Sequence, residues 1–250
     1  MNSKKISEVL EEHLRKLEIK KNDNLIVHSD LSTMGIYHKN LPKIFFRVLN
    51  RIIGKKGTIA LPLYNTTADK NEIINLEKDY SEHENSILSK YFFKKFKTVK
   101  TNSVFHSHLI KGKIENKFKK NINYNSFGKN SDFDLFYKNN FKLLLFGCDA
   151  AKGCTYLHHV ENKFQTKYRK KKIFLLKVKK KNRILKIKVI YKIRKKNIYQ
   201  NFNKIFLMPE IKKITNKEKL KLGNSYLINI REFDLLTSKI IKKKPNILNK

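Results

Sequence analysis

The 250 residues suffice to bury one sizeable core, and nothing in the composition marks a cut, so a single domain over 1–250 is expected. The formal charge of +36 is spread from end to end beside abundant Asn and Ile, a pattern of solvated lysine surface that argues against a nucleic-acid face. Cys148 and Cys154, without CxxC spacing, exclude a zinc ribbon or disulfide framework; with no signal core and no apolar run near the roughly 18 residues that span a bilayer, a reduced, cytoplasmic chain is expected.

Residues 5–17 carry Ile6, Val9, Leu10, Leu14 and Leu17 at helical spacing, and residues 25–27 read as a short buried strand. A second helix over 41–53 has Pro42 in its first turn and Gly54 past its end, and residues 57–61 form the next strand. Residues 65–85 hold Asp69, Glu72, Glu77, Asp79, Glu82 and Glu84, an acidic island in a basic chain, expected as a long loop. A helix over 86–96, an extended segment over 104–110, a short helix over 131–137 and a central strand over 141–146 follow. Residues 173–178 and 184–193 flank the polar turn Lys181-Asn182 and read as a hairpin whose alternate lysines face water. A helix over 202–211, a strand over 226–230 and a helix over 233–241 close the chain. The expected fold class is α/β: a central mixed sheet flanked by helices, with a β-hairpin region toward the C-terminus.

The segment Thr155-Tyr156-Leu157-His158-His159-Val160-Glu161 carries the most chemistry. On a helix His158 and Glu161 stand at i and i+3, on one face and within reach. A neutral imidazole beside a carboxylate is a general base near neutral pH, because the acid fixes the tautomer and stabilises the imidazolium. The same spacing also occurs in ordinary surface pairs. His159 is expected to be a packing or surface residue, and both cysteines to be buried or inert.

Four stretches, in order, resemble the aminoglycoside 3-N-acetyltransferase family, also called antibiotic N-acetyltransferases and distinct in fold from the GNAT enzymes. Val27-His28-Ser29-Asp30-Leu31-Ser32-Thr33-Met34-Gly35 is similar to the family's V-H-S-S-L-S-S-L-G loop, and residues 54–62 to its V-G-x-x-G-T-L-x-x-P segment. Residues 100–107 stand where the family has R-S-x-x-P-x-x-S, with Lys100 for the Arg and Val104 for the Pro. Residues 126–169 contain counterparts of its S-x-G, L-L-L-G and T-x-L-H-x-x-E signatures, followed by Tyr168-Arg169.

The resemblance implies direct transfer of an acetyl group from acetyl-CoA to an amino group of an amino sugar or aminoglycoside. No metal, specific nucleic acid or membrane insertion is involved. His158 is then the base and Glu161 its orienter. His28, Ser29, Ser32, Met34 and Gly35 become candidates for the acetyl-CoA site, with the loop's N–H groups and hydroxyls facing the oxyanion, Ser103 and Ser107 nearing the pantetheine and Lys100 the phosphates. A lysine keeps the arginine's charge but loses its bidentate fork. A chain at +36 repels polycationic aminoglycosides and attracts anionic amino sugars, which favours a biosynthetic role over antibiotic resistance unless the acidic island forms a pocket. Two rival readings remain at this point, a basic nucleic-acid-binding protein and a family member that binds coenzyme A without catalysis.

Overall fold

The computed structural model describes residues 1–164 and 166–249. The first elements are α1 (Ser3–Lys16), β1 (Asn24–Ser29), α2 (Leu41–Ile53), β2 (Thr58–Tyr64), β3 (Ile74–Asn75), α3 (Ile87–Lys95), β4 (Val99–Lys100) and β5 (His106–Gly112). The middle of the chain forms α4 (Glu115–Lys120), α5 (Asp132–Lys138), β6 (Lys142–Phe146), α6 (Ala150–Gly153), α7 (Tyr156–Asn162), β7 (Arg169–Lys180) and β8 (Arg183–Arg194). The chain ends in α8 (Asn203–Phe206), α9 (Pro209–Lys213), β9 (Thr215–Leu220), β10 (Gly223–Asn229) and α10 (Ile230–Lys243). Side-chain caps fix several helix starts. Asn2, Ser86, Ser131 and Asn229 each accept a backbone N–H of the first turn of α1, α3, α5 and α10.

Seven strands form a mixed sheet in the order β4-β5-β2-β1-β6-β10-β9, with β1 parallel to both β2 and β6 and the outer pairs antiparallel. A second sheet, β3-β7-β8, carries the hairpin, with Lys181 at its tip at φ 53. Strand alternation sorts the central sheet into two faces. Leu25 and Val27 of β1, Leu61 and Leu63 of β2, and Leu144 and Phe146 of β6 pack on α1, α2 and α3. Ile26, Ala60, Ile110, Leu143 and Leu145 point the other way, onto α4, α5, α7, α8, α9 and α10. On this second face the apolar rows end in polar rings at one edge: His28 follows Ile26, Tyr64 follows Ala60 and Pro62, and His106 and His108 precede Ile110.

Three expectations change. The helix predicted over 202–211 is two short helices, because Met208 before Pro209 is extended and Pro209 restarts a helix as its first residue. The polar run Thr215–Leu220 is an edge strand beside β10, which the hydrophobic pattern does not announce. The acidic loop is not wholly irregular, since β3 within it extends the hairpin sheet through β7.

Gly147, just after β6, takes φ 69, and its carbonyl accepts the Thr33 hydroxyl at 2.6 Å. A Cβ there would lie 2.3 Å from the Asp30 carbonyl oxygen. Gly147→Ala is therefore expected to destabilise the fold by about 2–5 kcal/mol through backbone strain plus overlap, read as a lower urea midpoint at unchanged slope.

Candidate active site

Helix α7 buries Tyr156, Leu157, His159, Val160 and Glu161, which turns His158 toward the polar edge of the sheet. His158 Nδ1 lies 2.9 Å from Glu161 Oε2. The Glu161 carboxylate, 1% exposed, is also held from the hairpin side: Arg169 donates to Oε2 at 2.7 Å and the Tyr168 hydroxyl donates to Oε1. Gln200 Nε2 stands 3.4 Å from the same Oε2. Burial alone would raise the Glu161 pKa, but the hydrogen bonds from His158 and Tyr168 and the charge of Arg169 outweigh it, so the acid stays ionised.

A carboxylate ringed by donors takes the Nδ1 proton as its acceptor share, so we assign the Nδ1–H tautomer of His158 and leave the Nε2 lone pair free. Arg169 Nη2 also approaches Nδ1, at 2.9 Å, because both groups converge on Oε2. Among the described residues Nε2 has no hydrogen-bond partner. Packing by Phe127 and Phe202, whose ring centroids lie 5.8 and 5.0 Å from the imidazole, desolvates it and lowers its pKa against the pull of Glu161. His158 is thus neutral at neutral pH while 22% of its side chain remains exposed.

Two cavities flank this edge. The larger, about 360 Å³, is lined by His28, Ser29, Asp30, Tyr64, Glu84 and Cys148, among others, at the ends of β1, β2 and β6 and the start of α3. The smaller, about 230 Å³, lies between the 66–69 turn and the hairpin and is lined by Thr66, Asp69, Phe105, His106, Phe174 and Tyr191, with Lys172 and Ile193. They meet where Thr66, in the smaller, donates its N–H and hydroxyl to Glu84 in the larger, and where Tyr64 packs on His106 at 4.8 Å. His158 lines neither cavity. It reaches the smaller one through Phe127, which touches His158, His106 at 5.0 Å and Tyr191 at 5.8 Å.

A sequence model described as aminoglycoside 3-N-acetyltransferase matches residues 26–241, most of the chain. The chain belongs to that family. The family's name makes it an acyltransferase. A search of curated protein sequences finds no match. The fold is that of a crystal structure of YokD protein from Bacillus subtilis, at 17% identity and TM-score 0.81, over 95% of this chain and 99% of that one. The aminoglycoside acetyltransferase AAC(3)-Xa matches at 14% identity and TM-score 0.78, over 97% and 93%. AAC-IIIb, solved as a binary complex with CoASH, matches at 13% identity and TM-score 0.79, over 94% and 95%.

The positions that the family motifs single out fall into two groups. His28 and Ser29 line the larger cavity, the first a half-buried neutral imidazole with its pKa pushed down to about 3 by desolvation, the second with its hydroxyl 3.3 Å from that of Ser86. Ser32 is engaged by the cap Asp30, donating its N–H and hydroxyl to Asp30 Oδ1, while Met34 is buried and Gly35 ends the turn at φ 63. The other group turns inward. Ser107 falls on the α2–α3 face of the sheet by strand alternation and donates to the Leu63 carbonyl at 2.5 Å, and Ser103 accepts the His106 N–H. Lys100 donates to the Asp79 carbonyl at 2.7 Å, and burial lowers its pKa to about 8. None of these three lines either cavity.

His159 is a packing residue, buried between Phe133 and Tyr156 with its pKa pushed down to about 4 by burial. Both cysteines are free thiols, and burial raises each to about 12, so neither is a thiolate at neutral pH. Among the described residues no group of three or more His, Cys, Asp or Glu could hold a metal ion, and no helix is long and apolar enough to cross a membrane. Tyr168, Arg169 and Gln200 join the Glu161 shell. The first two follow the motif directly in sequence, whereas Gln200 carries no sequence signal.

Four desolvated histidines make acid destabilising. His28, His106, His158 and His159 all have folded-state pKa values below 6.5, chiefly through burial, so the unfolded chain binds more protons as pH falls. Their stabilising contribution is complete above pH 6.5 and is lost as pH falls from there toward the lower values. The expected result is a urea midpoint that drops steadily between pH 6.5 and about 4. An unchanged midpoint across that window would show these imidazoles to be solvated.

Proposed function

We propose that this chain transfers the acetyl group of acetyl-CoA directly to a primary amine of an amino sugar or aminoglycoside, with His158 as general base and Glu161 as its orienter. The observation that carries the reading is the neutral, partly exposed His158 with Nδ1 tied to an ionised, buried Glu161 and Nε2 without a partner among the described residues, one aromatic ring, Phe127, away from the smaller cavity. The AAC-IIIb complex with CoASH and the AAC-VIa complex with sisomicin, which share this fold, support the choice of donor and acceptor class.

The larger cavity fits the donor's narrow arm. Leu31, Pro62 and Ile87 offer apolar wall, and Ser29, Asn85 and Ser86 offer hydrogen-bonding groups, the mixture that an amide-bearing chain needs. The acceptor ammonium first loses one proton to solvent. His158 Nε2 takes the second as the nitrogen forms its bond to the thioester carbon, and returns it to sulfur as the carbon–sulfur bond breaks. Amide, thiol and one released proton are the balance. Neutral His28 and His106 add no imidazolium charge there.

A thiol-release assay with acetyl-CoA and a panel of sugar amines tests the reading. Stoichiometric thiol and N-acetyl product are expected; thiol without N-acetyl product, or neither, would remove it.

A further inference from the structure

Resting on the acetyltransferase reading, we propose that the acceptor is a single amino-sugar ring carrying a phosphate group, seated in the cavity between the 66–69 turn and the β7–β8 hairpin. The size comes first. At about 230 Å³ this cavity is below the roughly 300–1,000 Å³ of sites for drug-sized ligands, room for one ring and not for a chain of several.

The walls name the chemistry. Phe105 contacts Phe174 at 5.3 Å and Tyr191 at 5.6 Å, and Tyr191 stacks on His106, which makes an aromatic lining suited to the apolar face of a sugar. Asp69 and Lys172 both line the cavity, yet they form no ion pair with each other. Among the described residues neither is salt-bridged to any other group. The Lys172 ammonium is held 4.2 Å from the centre of the Phe174 ring, which fixes it at the wall without neutralising it. A carboxylate and an unneutralised ammonium on one aromatic pocket are complementary to sugar hydroxyls and an anion respectively.

The surroundings select the sign. Strand alternation puts Lys170 on the same face of β7 as Lys172 and Phe174, and Arg194 pairs with Arg169 at that end of the hairpin. An aminoglycoside brings several ammonium groups and would meet one carboxylate in this cavity against this cationic rim and a chain at +36. A sugar phosphate brings the charge that the rim and the whole-molecule field attract. The ring's amine then lies toward His106 and Tyr191, the side on which Phe127 joins His158.

The test compares kcat/KM of the full chain on glucosamine, glucosamine 1-phosphate, glucosamine 6-phosphate, a nucleoside-diphosphate glucosamine and kanamycin, by thiol release. At least one phosphorylated sugar is expected to exceed both glucosamine and kanamycin by about 100-fold at low salt, with the margin shrinking as salt rises. The nucleotide and monophosphate arms tell which phosphate source is used. Lys172→Glu, on an exposed strand position, should cut that ratio by about tenfold or more, and Asp69→Asn should raise KM for the preferred sugar. Kanamycin or glucosamine as the best acceptor, or a ratio untouched by Lys172→Glu, overturns the proposal while leaving acetyl transfer in place. Failure to acetylate any of the amines instead removes the acetyltransferase reading itself.

Discussion

Replacing His158 with alanine should lower kcat for acetyl transfer by about 10²–10⁴-fold, the range of a positioned general base, while coenzyme A binding changes little. The base is asked to accept a proton as an amine becomes an amide nitrogen, and its Nε2 is the unpartnered nitrogen of the ring. The pH profile carries the same signature. Burial lowers the His158 pKa below 6.5, so the acidic limb of kcat in the wild type should lie below that value and vanish from the residual rate of the variant. Glu161→Ala should cost less, about 10- to 1000-fold, because the imidazole survives without its tautomer being fixed. Phe127, Phe202 and the buried face of α7 stay in place in the His158 variant, so a folded protein is expected for the comparison. Wild-type turnover in that variant would end the assignment of the base.

The pair was legible because it is local: two residues one helical turn apart meet wherever the helix lies. The same is true of most elements, whose apolar periodicity and caps are written within a dozen residues. Thr215–Leu220 was not legible, because an edge strand holding Lys217, Glu218 and Lys219 is specified by its antiparallel partner β10 and not by its own pattern. The β3-β7 contact was hidden for a related reason, as it joins segments about a hundred residues apart. Within the site, Arg169 and Gln200 reach Glu161 only because the hairpin and the segment after it fold back over α7. Ser107 is the instructive case. Its neighbours His106, which lines the smaller cavity, and His108, buried against Asp132, share one face of β5, and a strand period of two then sends Ser107 to the opposite face whatever the motif position implies.

Arg169→Met is expected to destabilise the protein by about 3–5 kcal/mol at neutral pH, the cost of leaving a buried charge without its partner. Arg169 is 8% exposed at the side chain and ties three parts of the chain together, donating to Glu161 on α7 at 2.7 Å and to the Lys192 carbonyl on β8 at 3.0 Å from its own place at the start of β7. Methionine keeps the apolar stem but supplies neither bond. Glu161 would then face burial with His158, Tyr168 and Gln200 but no full cation, and its pKa should rise, since burial is the largest influence on it and a counter-charge has gone. The sign of the pH dependence follows. In the wild type the depressed Glu161 contributes stability above the unfolded value of 4.5 that is lost as pH falls through its folded value, whereas the variant should lose that contribution at every pH. The gap between the two urea midpoints is therefore expected to be widest near neutrality and to narrow in acid. Activity should fall in parallel, because Glu161 loses the Arg169 bond that helps hold its Oε2 against Nδ1 of His158. A gap that stays constant with pH would mean that Arg169 acts by packing alone, and Arg169→Lys, which keeps the charge but not the fork, should recover part of both losses.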